Sequence, residues 1–130
     1  MGEKNAESVI IDYTKRNHPI RVVRSGKTLT VMAYGEEILK TRNAYILYET
    51  GRKPVYYFPI SEVRDRKLKA TDTVSVCPYK GRAHYYSLLA GKREIKDSAW
   101  RYSEPNEDFN PIKDYIAFYD SVIDGIEESE

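Results

Sequence analysis

The chain has 130 residues, 41% of them hydrophobic and 32% charged, with a formal net charge of +1. That length supports one domain with a real core, and that balance excludes a disordered chain and any bulk electrostatic case for nucleic acid or an acidic membrane. A single cysteine excludes an internal disulfide and a multi-cysteine zinc site, and His18 and His84 are too few and too far apart to read as a metal site; neither metal nor cofactor is expected.

The charge is unevenly spread. Residues 1–82 carry 16 Lys/Arg against 9 Asp/Glu, and residues 83–130 carry 5 against 11. Either the two parts meet in the fold and cancel, or one side presents a basic patch to an anionic ligand. The first residues hold no long apolar run, so no signal peptide is expected. No stretch approaches the ~20 apolar residues of a membrane span. The expectation is a cytoplasmic protein. Its twelve tyrosines suit strands and pocket walls, since each offers an apolar body with a polar tip.

Residues 1–17 read as an N-terminal arm or edge element, with Ser8–Tyr13 as its one apolar patch. His18-Pro19 forces an extended start, Pro19–Arg24 reads as a strand, and Ser25-Gly26 as a turn. Leu29, Val31 and Ala33 alternate on one face, and Glu37–Thr41 returns after Tyr34-Gly35 to make a hairpin. Ala44–Glu49 is nearly all apolar and reads as a central strand buried on both faces. It ends in Glu49, a carboxylate either solvated at the rim or aimed into a pocket. Val55–Phe58 is an aromatic strand stopped by Pro59. Ser61 is placed to cap a helical turn through Arg66, and Leu68–Thr73 reads as a loop.

Val74 and Val76 alternate with Ser75 and Cys77, which puts the thiol on the face opposite the valines. A Pro78–Gly81 turn and an Ala83–Leu89 strand follow, so Cys77 sits where a hairpin bends. Arg93–Lys96 returns after Ala90–Lys92, and Asp97–Tyr102 carries the only tryptophan. Ser103–Asn106 reads as a loop, Glu107–Ile112 as one helical turn broken by Pro111, and Tyr115–Tyr119 as a strand. Ser121–Asp124 closes the sheet, ending a β domain over 18–124, and 125–130 is a frayed acidic tail. Strands at about ten-residue spacing, with one or two short helical turns, predict a small, mainly β antiparallel barrel, tent-like fold or sandwich.

Tyr56-Tyr57-Phe58-Pro59 is followed by Glu62-Val63-Arg64. Cys77-Pro78-Tyr79-Lys80-Gly81 is followed by Tyr85-Tyr86-Ser87, Ala99-Trp100-Arg101-Tyr102 and Tyr115-Ile116-Ala117-Phe118-Tyr119. In this order and spacing, from about His18 to Asp120, the chain resembles the family catalogued as domain of unknown function 427, labelled nucleotidyltransferase-like. The resemblance implies a small, mostly β, bacterial-type domain, comparable with tent-like zinc-binding folds. This chain lacks the paired cysteines of those folds. It has no Gly-Ser followed by paired aspartates and no phosphate-cradling Gly-rich loop.

Three functions fit the residues. The first is a small-molecule binding domain, for an anionic or planar ligand, with an aromatic pocket near the Cys77–Gly81 turn. Tyr57, Tyr79, Tyr86, Trp100 and Tyr102 would wall that pocket, and Cys77, Lys80, Arg82, Arg64 and Glu49 would be its polar groups. The second is an enzyme with Cys77 as nucleophile and Lys80 or His84 as activator, since a thiolate needs a nearby cation or base. The third is a nucleic-acid or protein interaction module with exposed tyrosines as stacking platforms, against which the alternating strands spread the basic charges. Each residue also has a plainer reading: Cys77 as a buried space-filler, Lys80 as a turn lysine, the aromatics as cross-strand packing, Arg64 as a partner of Glu49 or Asp65.

Overall fold

The computed structural model describes residues 8–129. Among these the strands in chain order are β1 (Val9–Tyr13), β2 (Ile20–Arg24), β3 (Thr28–Ala33), β4 (Glu36–Thr41), β5 (Tyr45–Glu49), β6 (Val55–Pro59), β7 (Leu68–Cys77), β8 (Gly81–Ala90), β9 (Arg93–Pro105), β10 (Tyr115–Phe118) and β11 (Gly125–Ser129). The remaining regular elements are short 3-10 turns, the longest over Glu107–Ile112. The architecture is mainly β and sandwich-like, without a closed barrel. An eight-stranded sheet runs β1-β2-β5-β6-β10-β9-β8-β7, and a three-stranded sheet runs β11-β3-β4. The named strand pairs are antiparallel.

Alternation along each strand splits the apolar residues between two cores. One lies between the sheets, where Leu29, Val31 and Ala33 of β3 meet Phe58, Leu88, Ala99, Ile116 and Phe118 of the large sheet. The other lies on the opposite face of the large sheet. There Ile20 and Val22, Leu47, Tyr57, Ala83, Tyr102 and Ala117 pack with Ile11 and Tyr13 of β1. The Glu107–Ile112 turn covers this second core by burying Phe109 and Ile112 completely. The β3–β4 hairpin bends through Tyr34 and Gly35, both at positive φ (52° and 74°), as a two-residue turn requires. The Asp124 carboxylate accepts both of their backbone N–H groups, at 3.0 and 2.9 Å.

Several expectations are revised. Of the expected arm or edge element, Val9–Tyr13 is an edge strand, which bears out the second of those readings; residues 1–7 lie outside the described residues. β5 is central but not buried on both faces: Leu47 is buried while Tyr48 is 45% exposed, because the small sheet covers the other half of the large one. Ser61 caps nothing. The 3-10 turn Ile60–Glu62 starts at Pro59 and has no side-chain cap. Leu68–Thr73 is strand, continuous with Val74–Cys77 through a bulge between Ala70 and Val74. At that bulge the Thr71 and Thr73 hydroxyls both donate to the Asp97 carboxylate, each at 2.6 Å. β9 continues through Ser103–Pro105, where a loop is expected, because Gly81 and Arg82 of β8 pair with it there. Asp120–Val122 form a 3-10 turn. The expected acidic tail is β11, paired with β3 from Gly125–Met32 to Ser129–Thr28.

The two charge regions meet across the fold. Lys15 pairs with Asp108, Lys27 with Glu128, Lys53 with Asp120, Lys69 with Glu94 and Arg82 with Glu104, all on the surface.

Candidate functional site

The second core carries a buried charge chain at one end. Along β5, Glu49 follows Leu47 by two residues and so faces the same core. Along β2, the same period takes Ile20 and Val22 back to His18, and Ile20 pairs with Glu49. The turn Cys77–Gly81 supplies the third member. It is closed by the Lys80 N–H, which donates to Cys77 Sγ at 3.4 Å. Asn106 clamps the turn from β9's end: its side-chain amide donates to the carbonyls of Pro78 (3.1 Å) and Tyr79 (3.0 Å), and its backbone N–H to that of Lys80 (2.9 Å).

Gly81 permits this close approach. It sits at φ 117°, and a Cβ there would lie 2.6 Å from Asn106 N and from Glu104 O. Held this way, Lys80 points inward. Its Nζ donates to Glu49 Oε1 at 2.7 Å, and His18 Nε2 meets Glu49 Oε2 at 2.8 Å. The side chains of Glu49 and Lys80 are only 7% and 10% exposed, while that of His18 is 25% exposed.

Burial pushes the Glu49 carboxyl up, but the hydrogen bonds from His18 and Lys80, with the charges of Lys80 and Arg52, outweigh it and hold the group below the ordinary carboxylate value. Glu49 is therefore ionised at neutral pH and only accepts hydrogen bonds. It follows that His18 Nε2 carries the proton in this contact. His18 Nδ1 makes no hydrogen bond among the described residues.

Aromatic rings enclose the chain. Lys80 Nζ lies 5.9 Å from the centroid of the Tyr102 ring. His18 stacks on Tyr79 at 4.1 Å and 12°, and the Arg16 guanidinium stands 5.0 Å from the same ring. Trp100 Nε1–H donates to the Tyr57 hydroxyl at 3.3 Å. Burial pushes the Tyr57 and Tyr102 hydroxyls strongly up, so both stay protonated.

Of the residues picked out from the sequence, Glu49, Tyr57, Cys77, Tyr79, Lys80 and Tyr102 come together, with Trp100 at the flank. Tyr57 and Tyr102 fill the site instead of walling a void, because both rings are buried in the second core. The others lie elsewhere. Arg64 pairs with Glu37 of β4, not with Glu49 or Asp65. Arg82 lies on the surface, 3.8 Å from Glu104. Tyr86 packs against the first core, on the other face of the sheet, and its hydroxyl accepts from Arg101. His84 lies on that face too, hydrogen-bonded to Ser103, so it is turned away from Cys77.

His18, Arg16 and Asn106 went unmarked by the sequence reading. For His18 a signal existed: the alternation His18, Ile20, Val22 puts it on the inward face of β2.

A mainly β sandwich with a buried carboxylate bridging an ammonium and an imidazole at one hairpin turn is what the fold and cluster define. The family model described as Domain of unknown function (DUF427) matches residues 21–129, and the chain belongs to that family. No curated protein matches it. Among the described residues no helix is long and apolar enough to cross a membrane.

Proposed function

We propose that this domain binds a small anionic molecule at the rim of the Glu49 cluster, with Arg16, His18 and Tyr79 as the contact surface and Lys80 beneath it. The observation that carries the reading is the buried Lys80–Glu49–His18 chain. Taking an ammonium and a carboxylate out of water costs several kcal/mol per ion, which an apolar pair of the same volume avoids. Charged groups held this way concentrate where ligands are handled. Lys80 and Arg52 both act on the Glu49 carboxylate, and Arg16 stands over the Tyr79 ring that stacks on His18, so the rim favours an anion. Arg16 and Asn17 both adopt left-handed backbone, φ 58° and 54°, just before His18. At Arg16 this costs about 1–2 kcal/mol, and less at Asn17, whose short polar side chain tolerates it; strain of this kind gathers at ligand sites.

The test is a thermal-shift screen against nucleotides, acyl compounds and sugar phosphates. A ligand at ~100 times its dissociation constant stabilises by about 2.7 kcal/mol, which for a domain this size is roughly 10 °C. Arg16→Ala, on the surface, is expected to remove the shift and leave the ligand-free melting temperature unchanged. A flat response across the library would sink the reading.

The Glu49–His18 contact favours a second reading, an enzyme in which Glu49 orients His18 and the free Nδ1 acts as general base. This replaces the arrangement with Cys77 activated by Lys80 or His84. The Lys80 ammonium is turned to Glu49, and His84 is on the other face of the sheet. A turnover found among the same compounds, lost in His18→Gln while ligand binding persists, would decide for the enzyme.

A further inference from the structure

Independently of the Glu49 cluster, we propose that a second cleft binds a single planar ring carrying a short polar tail. It lies where β6 begins beside the end of β10, against Ile123 and Ile126. Its volume is about 180 Å³. An apolar cavity of roughly 150 Å³ takes one benzene-sized molecule, so the space suits one ring and not two.

The walls are aromatic: Tyr56, Phe58, Trp100, Phe118 and Tyr119. Trp100 and Tyr119 lie 4.7 Å apart and Phe58 and Phe118 6.1 Å apart, both pairs tilted by 46°. Tilted pairs diverge instead of closing on each other, and a third flat ring can add to them in offset or edge-to-face contact. The mouth is polar. Lys53 and Asp120 stand there 3.8 Å apart, 84% and 80% exposed. A buried ring with a charged or hydroxyl tail would place the tail between them, in water, with no desolvation cost. Tyr119 remains 44% exposed at this cleft, apolar surface that an occupant would cover.

Trp100 is the only tryptophan in the chain and lines the cleft, so its emission responds to an occupant there; its indole N–H also meets Tyr57 of the second core, so the backbone shifts decide which side is filled. The experiment titrates the full chain with benzyl alcohol, phenylacetate and cyclohexylacetate, following Trp100 fluorescence and the indole N–H signal by NMR. Saturable changes are expected for the two aromatic probes, with dissociation constants on the order of 1 mM, usual for so small a ligand. Cyclohexylacetate, puckered and without a π face, is expected to bind at least ~10-fold more weakly, the scale of a poorly fitted ring in a shaped apolar pocket. Ile126→Phe, which narrows the cleft with an apolar side chain, should abolish binding. Wild-type backbone shifts should map to Val55–Phe58 and Phe118–Asp120, a readout that holds even if the variant misfolds. No saturable response, shifts mapping elsewhere, or equal binding of cyclohexylacetate would overturn the proposal.

Discussion

Lys80→Met removes the ammonium 2.7 Å from Glu49 and leaves an ionised carboxylate, 7% exposed, with His18 as its remaining side-chain partner. At an effective dielectric of 20 the lost attraction is roughly 6 kcal/mol, offset by the desolvation that the lysine no longer suffers. Breaking a fully buried pair this way costs about 3–5 kcal/mol. The cluster reaches solvent through His18, so the low end, about 3 kcal/mol, is expected here. Unfolding entropy near 2.1 cal/mol/K per residue makes that a fall of roughly 11 °C in melting temperature for this chain.

Replacing both partners, Lys80→Met with Glu49→Leu, should recover most of the loss, because no uncompensated charge remains. The pH dependence follows from Glu49. Its folded-state pKa lies below the ordinary 4.5, so its stabilisation is complete above that pH and is lost as the pH falls through the folded value. In Lys80→Met the burial effect dominates and the folded pKa rises above the unfolded one. The variant then recovers stability on acidification, and the gap to wild type narrows between pH 7 and pH 4. Thermal melts and urea titrations followed by Trp100 fluorescence measure all three proteins. A fall of under ~3 °C for Lys80→Met, or a double variant no better than that single one, would refute the buried-pair argument.

Gly81→Ala puts a methyl group against three backbone atoms at a φ of 117° and should cost about 3 kcal/mol or more, seen as loss of the cooperative thermal transition or of soluble protein. Ser87→Ala should stabilise by roughly 1 kcal/mol in denaturant titration, since the Ser87 hydroxyl is buried with no hydrogen-bond partner among the described residues. Asn106→Ala removes two bonds that hold the Cys77–Gly81 turn from outside. It should cost about 1 kcal/mol and speed amide exchange at Lys80, whose N–H meets Cys77 Sγ.

Where side chains repeat with the period of their element, the fold was legible. Leu29, Val31 and Ala33 face one core and are fully buried, as their alternation predicts. At Val74–Cys77 the alternation also holds, with Val76 67% exposed and Cys77 against the second core. Legibility failed where tertiary contacts override composition. Leu68–Thr73 is polar enough to read as loop, yet Asp97 holds its threonines and β8 its backbone. Gly125–Ser129 reads as tail because Glu127 and Glu128 are charged, but edge strands carry charge as protection against pairing with other chains.

At the site, the sequence marked Glu49 and Lys80 separately. Their contact, and His18's, spans 31 residues and depends on the β2–β5 register and on the Asn106 clamp. Arg64 was misplaced for the converse reason: its partner Glu37 becomes a neighbour only when Val63 bridges to β4.

The pairing of β11 with β3 also has a consequence for how the chain is made. Thr28 and Ser129 are partners, so the small sheet cannot be completed until about a hundred further residues have followed β3 off the ribosome. At ~5–20 residues per second that is roughly 5–20 s. Throughout that interval the β3–β4 hairpin has an unpaired edge, and for its first half Leu29 and Val31 lack even β8, the first of the strands β8, β9 and β10 that will cover them. The nascent chain thus carries a sticky, half-built sheet until β11 has emerged, and a holding chaperone would find its best target there.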